Sequence, residues 1–384
     1  LKNSSAAWVA IQNPTNRDAR VDRRHMEAAL ALAERGLGSV WPNPAVGCVL
    51  VRDGRIVGRG WTQPGGRPHA EAEALRRAGC AAKGATAYVT LEPCSHHGKS
   101  PPCADALIGA RIASLVVAMK DPDPRVSGQG FARIAEAGIE VAVGVCGEEA
   151  SRLNAGFVKR IKSGRPLVTI KQATSLDGRI ATRSGESQWI TGMAARARGH
   201  LLRAHNDAIL VGSGTAIADD PSLTCRLPGL EECSPVRVVM DGRLRLPESH
   251  RLVAEARDVP TWIVTLDNAA RTRGRGYREA GVKLITVAPD EVGHPDAAAT
   301  LQELGAHGIT RVLIEGGAYI VAAFLGARLV DRLDIFRAPY MIGGDGAPAA
   351  ESLALARLAD APTFARRAID ELGSDIHEIF DAVV

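Results

Sequence analysis

Two kinds of apolar pattern alternate along this chain. From Asp22 to Arg35, the residues Met26, Ala29, Leu30 and Ala33 recur at helical spacing, and Gly36 and Gly38 stop the run. Ala45 to Val51 is continuously apolar and reads as a strand. Asp53-Gly54 separates it from a second strand ending at Gly60, which predicts a hairpin. His69 to Ala78 reads as a helix and Thr86 to Leu91 as a strand. A further helix opens at Pro101-Pro102-Cys103, with proline where a helix start tolerates it. Leu115–Ala118 and Glu140–Val143 read as strands around a helix at Phe131–Ala137. Strands alternating with helices predict a layered α/β domain.

A helix over Ala150–Ile161 is predicted to end at Ser163-Gly164-Arg165-Pro166, where the pattern restarts with a strand, Leu167–Gln172. Strands follow at Ala208–Val211, Val236–Met240, Thr261–Thr265, Lys283–Val287, Arg311–Ile314, Arg332–Phe336 and His377–Phe380. A chain of 384 residues exceeds what one ordinary core needs. The expected division is a disordered extension over residues 1–20, one domain over 21–164 and a second over 165–384.

Composition narrows the class. Hydrophobic residues make up 46% and charged residues 23%, as in globular proteins. There is no apolar run of membrane-helix length and no secretory pattern in the first twenty residues. Seven cysteines without a framework spacing point to a reducing, cytoplasmic setting. Cys48 and Cys146 read as small buried hydrophobes, and Cys80, Cys225 and Cys233 as loop thiols. Residues 1–165 carry 23 Lys and Arg against 15 Asp and Glu; residues 166–384 carry 24 against 28. The basic first half suits an anionic small molecule but lacks the dense stripe of a nucleic-acid binder.

The chemistry gathers in Pro68-His-Ala-Glu71 and Glu92-Pro-Cys-Ser-His-His-Gly-Lys-Ser-Pro-Pro-Cys103. His69, Cys94 and Cys103 supply one imidazole and two thiolates, three corners of a tetrahedral zinc site. An open fourth corner would hold a water activated to hydroxide near neutral pH, with Glu71 as proton carrier rather than ligand. H-x-E followed by P-C and a second cysteine is the signature of zinc nucleobase deaminases. A closed structural site, with His96 or His97 as fourth ligand, is the alternative.

Eight residues separate the two cysteines, where general nucleobase deaminases have two. This spacing, within Thr90-Leu-Glu-Pro-Cys-Ser-His-His-Gly-Lys-Ser-Pro-Pro-Cys103, and Pro42-Asn-Pro-Ala-Val-Gly47 ahead of it, resemble the bifunctional deaminase–reductase family of bacterial riboflavin biosynthesis. In the second half the resemblance extends to Gln172-Ala-Thr-Ser-Leu-Asp-Gly-Arg-Ile-Ala181, Gly185-Glu-Ser-Gln-Trp-Ile-Thr191, the stretch from Val211 to Thr224, and Val312-Leu-Ile-Glu-Gly-Gly-Ala318. None of these is a Rossmann fingerprint.

The resemblance implies a cytidine-deaminase-like three-layer α/β/α domain followed by a dihydrofolate-reductase-like α/β domain. It implies zinc in the first, NADPH in the second, a phosphoribosylaminopyrimidine substrate and a homo-oligomer. Carried over by motif, Asn43, Ser187, Arg203, Leu223, Arg226 and Glu315 hold substrate. Ala173, Trp189, Thr215 and Asp219 lie along the cofactor, with the backbone of Gly317, Ala318, Tyr319, Ile320, Val321, Ala322 and Ala323. Asp219 is also the expected proton donor when hydride arrives. Gly242 replaces a small polar residue frequent in the family. Arg273-Gly-Arg-Gly-Tyr277 reads as an exposed loop, although its arginines could meet the cofactor's extra phosphate. The rivals are a tRNA or cytidine-type deaminase fused to an unrelated domain, and a zinc-stabilised binding protein with a decayed site. The first predicts a short P-C-x-x-C and the second has no use for Glu71.

Overall fold

The structure is a computed structural model describing residues 17–96, 101–124 and 126–383. It divides into two compact units, Leu1–Lys162 and Ser163–Val384. The expected extension lies outside the described residues up to residue 16. Residues 17–20 depart from that expectation. Arg17 makes a forked ion pair with Asp22 at 2.8 and 2.9 Å, and helix α1 (Ala19–Ala33) begins behind an Asp18 cap.

In the first unit, strands β1 (Gly47–Arg52), β2 (Arg55–Trp61), β3 (Thr86–Val89), β4 (Ser114–Val117) and β5 (Glu140–Val143) form a sheet ordered β2-β1-β3-β4-β5. The β1–β2 and β1–β3 pairs are antiparallel, and β3, β4 and β5 run parallel. Side chains alternate between two cores. Cys48, Leu50, Val89 and Leu115 pack with α2 (Ala70–Ala78), α3 (Cys103–Gly109) and α4 (Gln129–Glu136). Val49, Val51, Tyr88 and Val116 pack with α1 and α5 (Gly147–Leu153) on the other face. This period-two alternation in a buried sheet makes the three layers. Met26, Ala29, Leu30 and Ala33 are all buried, as the helical spacing requires.

The helix expected over Ala150–Ile161 is two helices, α5 and α6 (Ala155–Ser163), broken at Asn154. Asn154 is buried, and its side-chain amide donates to the carbonyl of Ala45 and accepts from its N–H, both at 2.9 Å. The break satisfies two buried backbone groups in the segment entering β1, which a continuous helix would not.

In the second unit, β6 (Leu167–Thr174), β8 (Ala208–Gly212), β9 (Val236–Met240), β10 (Thr261–Thr265), β11 (Lys283–Thr286), β12 (Arg311–Ile314), β13 (Arg332–Arg337), β15 (Phe364–Leu372) and β16 (Asp375–Ala382) form one sheet. Its order is β11-β10-β9-β8-β12-β6-β13-β16-β15, parallel from β11 to β13 and antiparallel beyond. Two short strands, β7 (Arg179–Ala181) and β14 (Ala347–Pro348), pair separately. The connecting helices are α7 (Met193–Ala204), α8 (Ser213–Asp219), α9 (Arg251–Ala254), α10 (Asp267–Glu279), α11 (Ala297–Ala306) and α12 (Ala318–Gly326). Strand β15 had no apolar signature, because it is an edge strand with mostly exposed residues.

Arg273–Tyr277 lies in α10 rather than in an exposed loop. Gly274 is buried where a Cβ would stand 2.6 Å from Leu284, and the Tyr277 hydroxyl donates to the Leu246 carbonyl at 2.6 Å. Cys225 lies in a loop, as expected, with its side chain buried.

Removing the Asn154 side chain tests its role. Asn154→Ala is expected to cost about 2–6 kcal/mol, since two buried backbone groups lose their partners at about 1–3 kcal/mol each. Urea unfolding measures it, and an unshifted midpoint would show that water replaces the amide.

Candidate active sites

Helix α2 lies unusually close to β2. A Cβ on Gly60 would stand 2.1 Å from the Ala70 carbonyl, and one on Gly58 2.4 Å from that of Ala74. Only glycine permits that approach. It sets His69, the residue capping α2, and Glu71 in its first turn against the end of the sheet. Cys94 follows β3, and Cys103 is the first residue of α3. Helix α2 therefore begins one residue after His69.

These elements converge. The His69 Nδ1 lies 3.7 Å from the Cys94 Sγ and 3.4 Å from the Cys103 Sγ. The Cys103 N–H also donates to the Cys94 sulfur at 3.3 Å. Bonds of about 2.0–2.3 Å to a tetrahedral zinc give ligand–ligand edges of roughly 3.5–3.8 Å, so the donor set fits that ion. Among the described residues, no fourth His, Cys, Asp or Glu joins the group. His96 is exposed, and His97 lies outside the described residues.

Glu71 is buried, and burial pushes its carboxyl up to about 7. The hydrogen bond from Cys103 pulls the Cys94 thiol down to about 4, while that same contact and burial push Cys103 up. Asn43 leaves a tight loop, and its amide sits over Gly66, where a Cβ would meet Nδ2 at 1.9 Å. Glu92 was not singled out in the sequence. It is buried and accepts N–H groups from Asp121, Gly128 and Gly130 at 3.2, 2.9 and 3.0 Å, pinning the loop between β4 and α4 beside the cysteines. A carboxylate immediately before Pro-Cys was the available signal.

In the second unit, β8 leads by α8 to β9, and β12 leads by α12 to β13 on the other side. The gap between the ends of β8 and β12 is therefore a topological switch point, where open α/β sheets bind ligands. A crevice of about 900 Å³ occupies it, lined by Thr215, Gly317, Ala318, Tyr319, Ile320, Ala322 and Ala323 among others. Gly212 and Gly316 leave room for Ile320, and the Gly317 N–H donates to the Thr215 hydroxyl at 3.1 Å. Val321 is buried beneath this wall.

A second cavity of about 360 Å³ gathers Lys171, Trp189, Arg196, His200, Arg203, Arg226 and Glu315. Trp189, expected along the cofactor, lines this cavity, with Arg196 over its ring at 4.3 Å. Arg203 grips Glu315 through two bonds of 2.8 and 2.9 Å. Burial raises the Glu315 carboxyl, but Arg203 and then Lys171 outweigh it and hold it at about 2. Ser187 is exposed, and Ser187, Ala173 and Asp219 line neither cavity. The Leu223 side chain belongs to the hydrophobic core, leaving only its backbone for a ligand. Asp219 ends α8, with its carboxyl raised by partial burial. Neighbouring Asp220 is structural and accepts the Arg251 N–H at 2.8 Å. Lys171, Arg196 and His200 were not singled out in the sequence, because lone basic residues carry no motif.

Comparison with known proteins agrees with both halves. Residues 19–119 match the model of the cytidine and deoxycytidylate deaminase zinc-binding region, and residues 166–377 match that of the RibD C-terminal domain. The riboflavin biosynthesis protein RibD of Escherichia coli (strain K12) is 44% identical over 366 residues, covering 92% of this chain and 98% of its own.

The chain belongs to the RibD family.

RibD of Bacillus amyloliquefaciens is 41% identical over 357 residues, covering 93% of this chain and 95% of its own. The solved RibD of Acinetobacter baumannii superposes with a TM-score of 0.85 at 38% identity, covering 96% of this chain and 100% of its own. The diaminohydroxyphosphoribosylaminopyrimidine deaminase/5-amino-6-(5-phosphoribosylamino)uracil reductase of Thermotoga maritima gives 0.84 at 34% identity, covering 95% and 99%. As a RibD protein the chain is a bifunctional riboflavin-biosynthesis enzyme, with a cytidine-deaminase-like domain before a dihydrofolate-reductase-like one. The rival with an unrelated second domain is excluded. No helix among the described residues is long and apolar enough to cross a membrane.

The Arg203–Glu315 pair makes stability depend on pH. Glu315 is held at about 2 against an ordinary value of 4.5. Its contribution is fully present above the unfolded pKa and lost as pH falls from about 4.5 towards about 2, a total of about 3 kcal/mol. Melting curves should therefore show wild type and Glu315→Gln converging as pH drops through that window. A constant gap would assign the effect to packing.

Proposed function

We propose that residues 21–164 deaminate 2,5-diamino-6-(5-phosphoribosylamino)pyrimidin-4(3H)-one and residues 165–384 reduce the ribosyl group of the product to ribityl. The observation carrying this reading is the His69–Cys94–Cys103 triangle with buried Glu71 in the turn of helix that His69 caps. Zinc held there would supply the Lewis acidity that brings a water's pKa near neutrality. Glu71 takes the proton of that water and passes it to the departing ring amine, so water enters, the ring gains an oxygen and ammonia leaves. Asn43 holds the ring or ribose. Glu92 fixes the loop that closes on the cysteines.

In the second unit the larger crevice takes the cofactor and the smaller cavity takes the substrate. NADPH supplies the hydride. Arg203 and Arg226 face the sugar phosphate, and Ser187 and the Leu223 backbone complete the grip. Glu315, held as a carboxylate, accepts hydrogen bonds from the sugar near C1. Trp189 covers the cavity, and Trp189, Thr215, Gly317–Ala323 and Ala173 would hold the cofactor. Asp219 supplies the proton that balances the incoming hydride. All seven cysteines are free, which suits a reducing, cytoplasmic setting, and a homo-oligomer is the expected assembly.

Separate readouts test the two halves. Glu71→Gln should lower ammonia release at least about 100-fold, the usual reach of a lost general acid–base, with about one zinc per chain retained. Persisting turnover would remove Glu71 from the chemistry. Asp219→Ala should slow NADPH oxidation at least about 10-fold and leave ammonia release unchanged. An unaltered reductase rate rejects the assignment.

A further inference from the structure

Strand order dictates how a dinucleotide lies in the larger crevice. The central order is β9-β8-β12-β6, at about 4.8 Å per strand. Glu315 follows β12 and Lys171 lies on β6, and both line the substrate cavity. The nicotinamide must therefore reach the β12 side. The rest of the cofactor would then extend across β8, with its adenosine half over the end of β9, about 10 Å along the sheet edge.

Arg243 and Arg245 follow β9 and line that end of the crevice. Their loop is fixed from below. Asp241 is fully buried, and its Oδ2 accepts the N–H groups of Arg245 and Leu246 at 2.6 and 2.8 Å. Leu244, buried between the two arginines, turns both outward. The Arg245 guanidinium donates to the Ser213 hydroxyl at 2.8 Å, its Nε lies 3.9 Å from the Asp241 Oδ1, and its side chain stays 57% exposed to face a ligand. Nearby carboxylates are occupied: Asp290 accepts the N–H groups of Val292 and His294, and Asp296 that of Ala299. Glu351 lies beside α12, where its N–H donates to the Ala318 carbonyl.

We propose that Arg243 and Arg245 bind a phosphate on the adenosine 2′ position and so select the phosphorylated over the unphosphorylated nicotinamide dinucleotide. The assignment rests on the reading of this crevice as the cofactor site. A guanidinium fork matches a dianionic phosphate and gains nothing from a ribose hydroxyl of comparable strength. The selection is therefore a charge effect localised to one loop, separate from the groups that meet the nicotinamide.

Calorimetric titration of the full chain with 2′,5′-ADP and with 5′-AMP tests it without turnover. Wild type should bind 2′,5′-ADP more tightly. In R243Q/R245Q, 2′,5′-ADP should weaken about 10-fold or more, the value of one charge-assisted hydrogen bond, while 5′-AMP changes by less than about threefold. The ratio of kcat/KM for NADPH over NADH should fall in parallel, at a melting temperature near wild type. If both ligands weaken equally, or neither does, the arginine assignment is overturned and the crevice reading stands. Wild type binding neither compound overturns the crevice reading itself, and the assignment with it.

Discussion

A strand buried on both faces has no side chain free for chemistry, and that constraint organises both halves of this chain. Parallel strands covered by helices commit their alternate residues to two cores, as Cys48 and Leu50 against Val49 and Val51 do here. Most reactive groups then fall in the loops and helices beyond the carboxyl ends of the strands, and Lys171 is on a strand only where β6 becomes half-buried. Glu92 and Cys94 come after β3, Glu315 after β12, Asp241 and Arg245 after β9, and Thr215 lies just beyond β8. The polar residues are not scattered over the surface; they are collected along one edge of each sheet.

Loops at a sheet edge are useful only if they hold still, and this chain fixes them with buried polar side chains that bond to backbone. Glu92 accepts three N–H groups, Asp241 two, and Asn154 engages both backbone groups of Ala45. Each buried polar atom costs free energy unless paired, so each becomes a strict specification of loop geometry. That demand falls on side chains that touch no ligand, while the ligand-facing groups inherit their positions.

Much of this was legible in the sequence because it arises from short-range pattern. Period-two and helical spacing located the central strands, and the hairpin followed from Asp53-Gly54. The metal triangle was legible because one histidine and two cysteines admit few geometries. The features that escaped depend on contacts far apart in the chain. The break at Asn154 is caused by Ala45, more than a hundred residues earlier, and nothing near Asn154 announces it. Arg273–Gly276 looks like a loop by glycine content, yet it lies in α10, whose Tyr277 is held to the distant Leu246 carbonyl. Trp189 falls in the cavity with Arg203 and Glu315 because the loop before α7 is tied to the distant β16, through the Gly192 N–H on Asp375 at 2.7 Å. Edge strand β15 lacks apolar alternation because it covers no second core.

Glu71 and Glu315 show how neighbours, not burial, assign a role. Glu71 and Glu315 both lose their solvent, which alone raises a carboxyl. Glu315 faces Arg203 and Lys171, and the fixed cations outweigh burial, so it is an anion across the physiological range. Such a group can accept hydrogen bonds from a sugar but cannot exchange a proton near neutrality. Glu71 has no arginine or lysine bonded to it, and burial leaves it near neutral pH. A divalent cation in the adjacent imidazole–thiol triangle would draw it down from there, into the range of a base that can release its proton again. Exchanging the neighbours would exchange the behaviour: a guanidinium beside Glu71 would lock it as an anion, and stripping Arg203 from Glu315 would leave a titrating carboxyl in the cavity that Lys171 and Arg226 line.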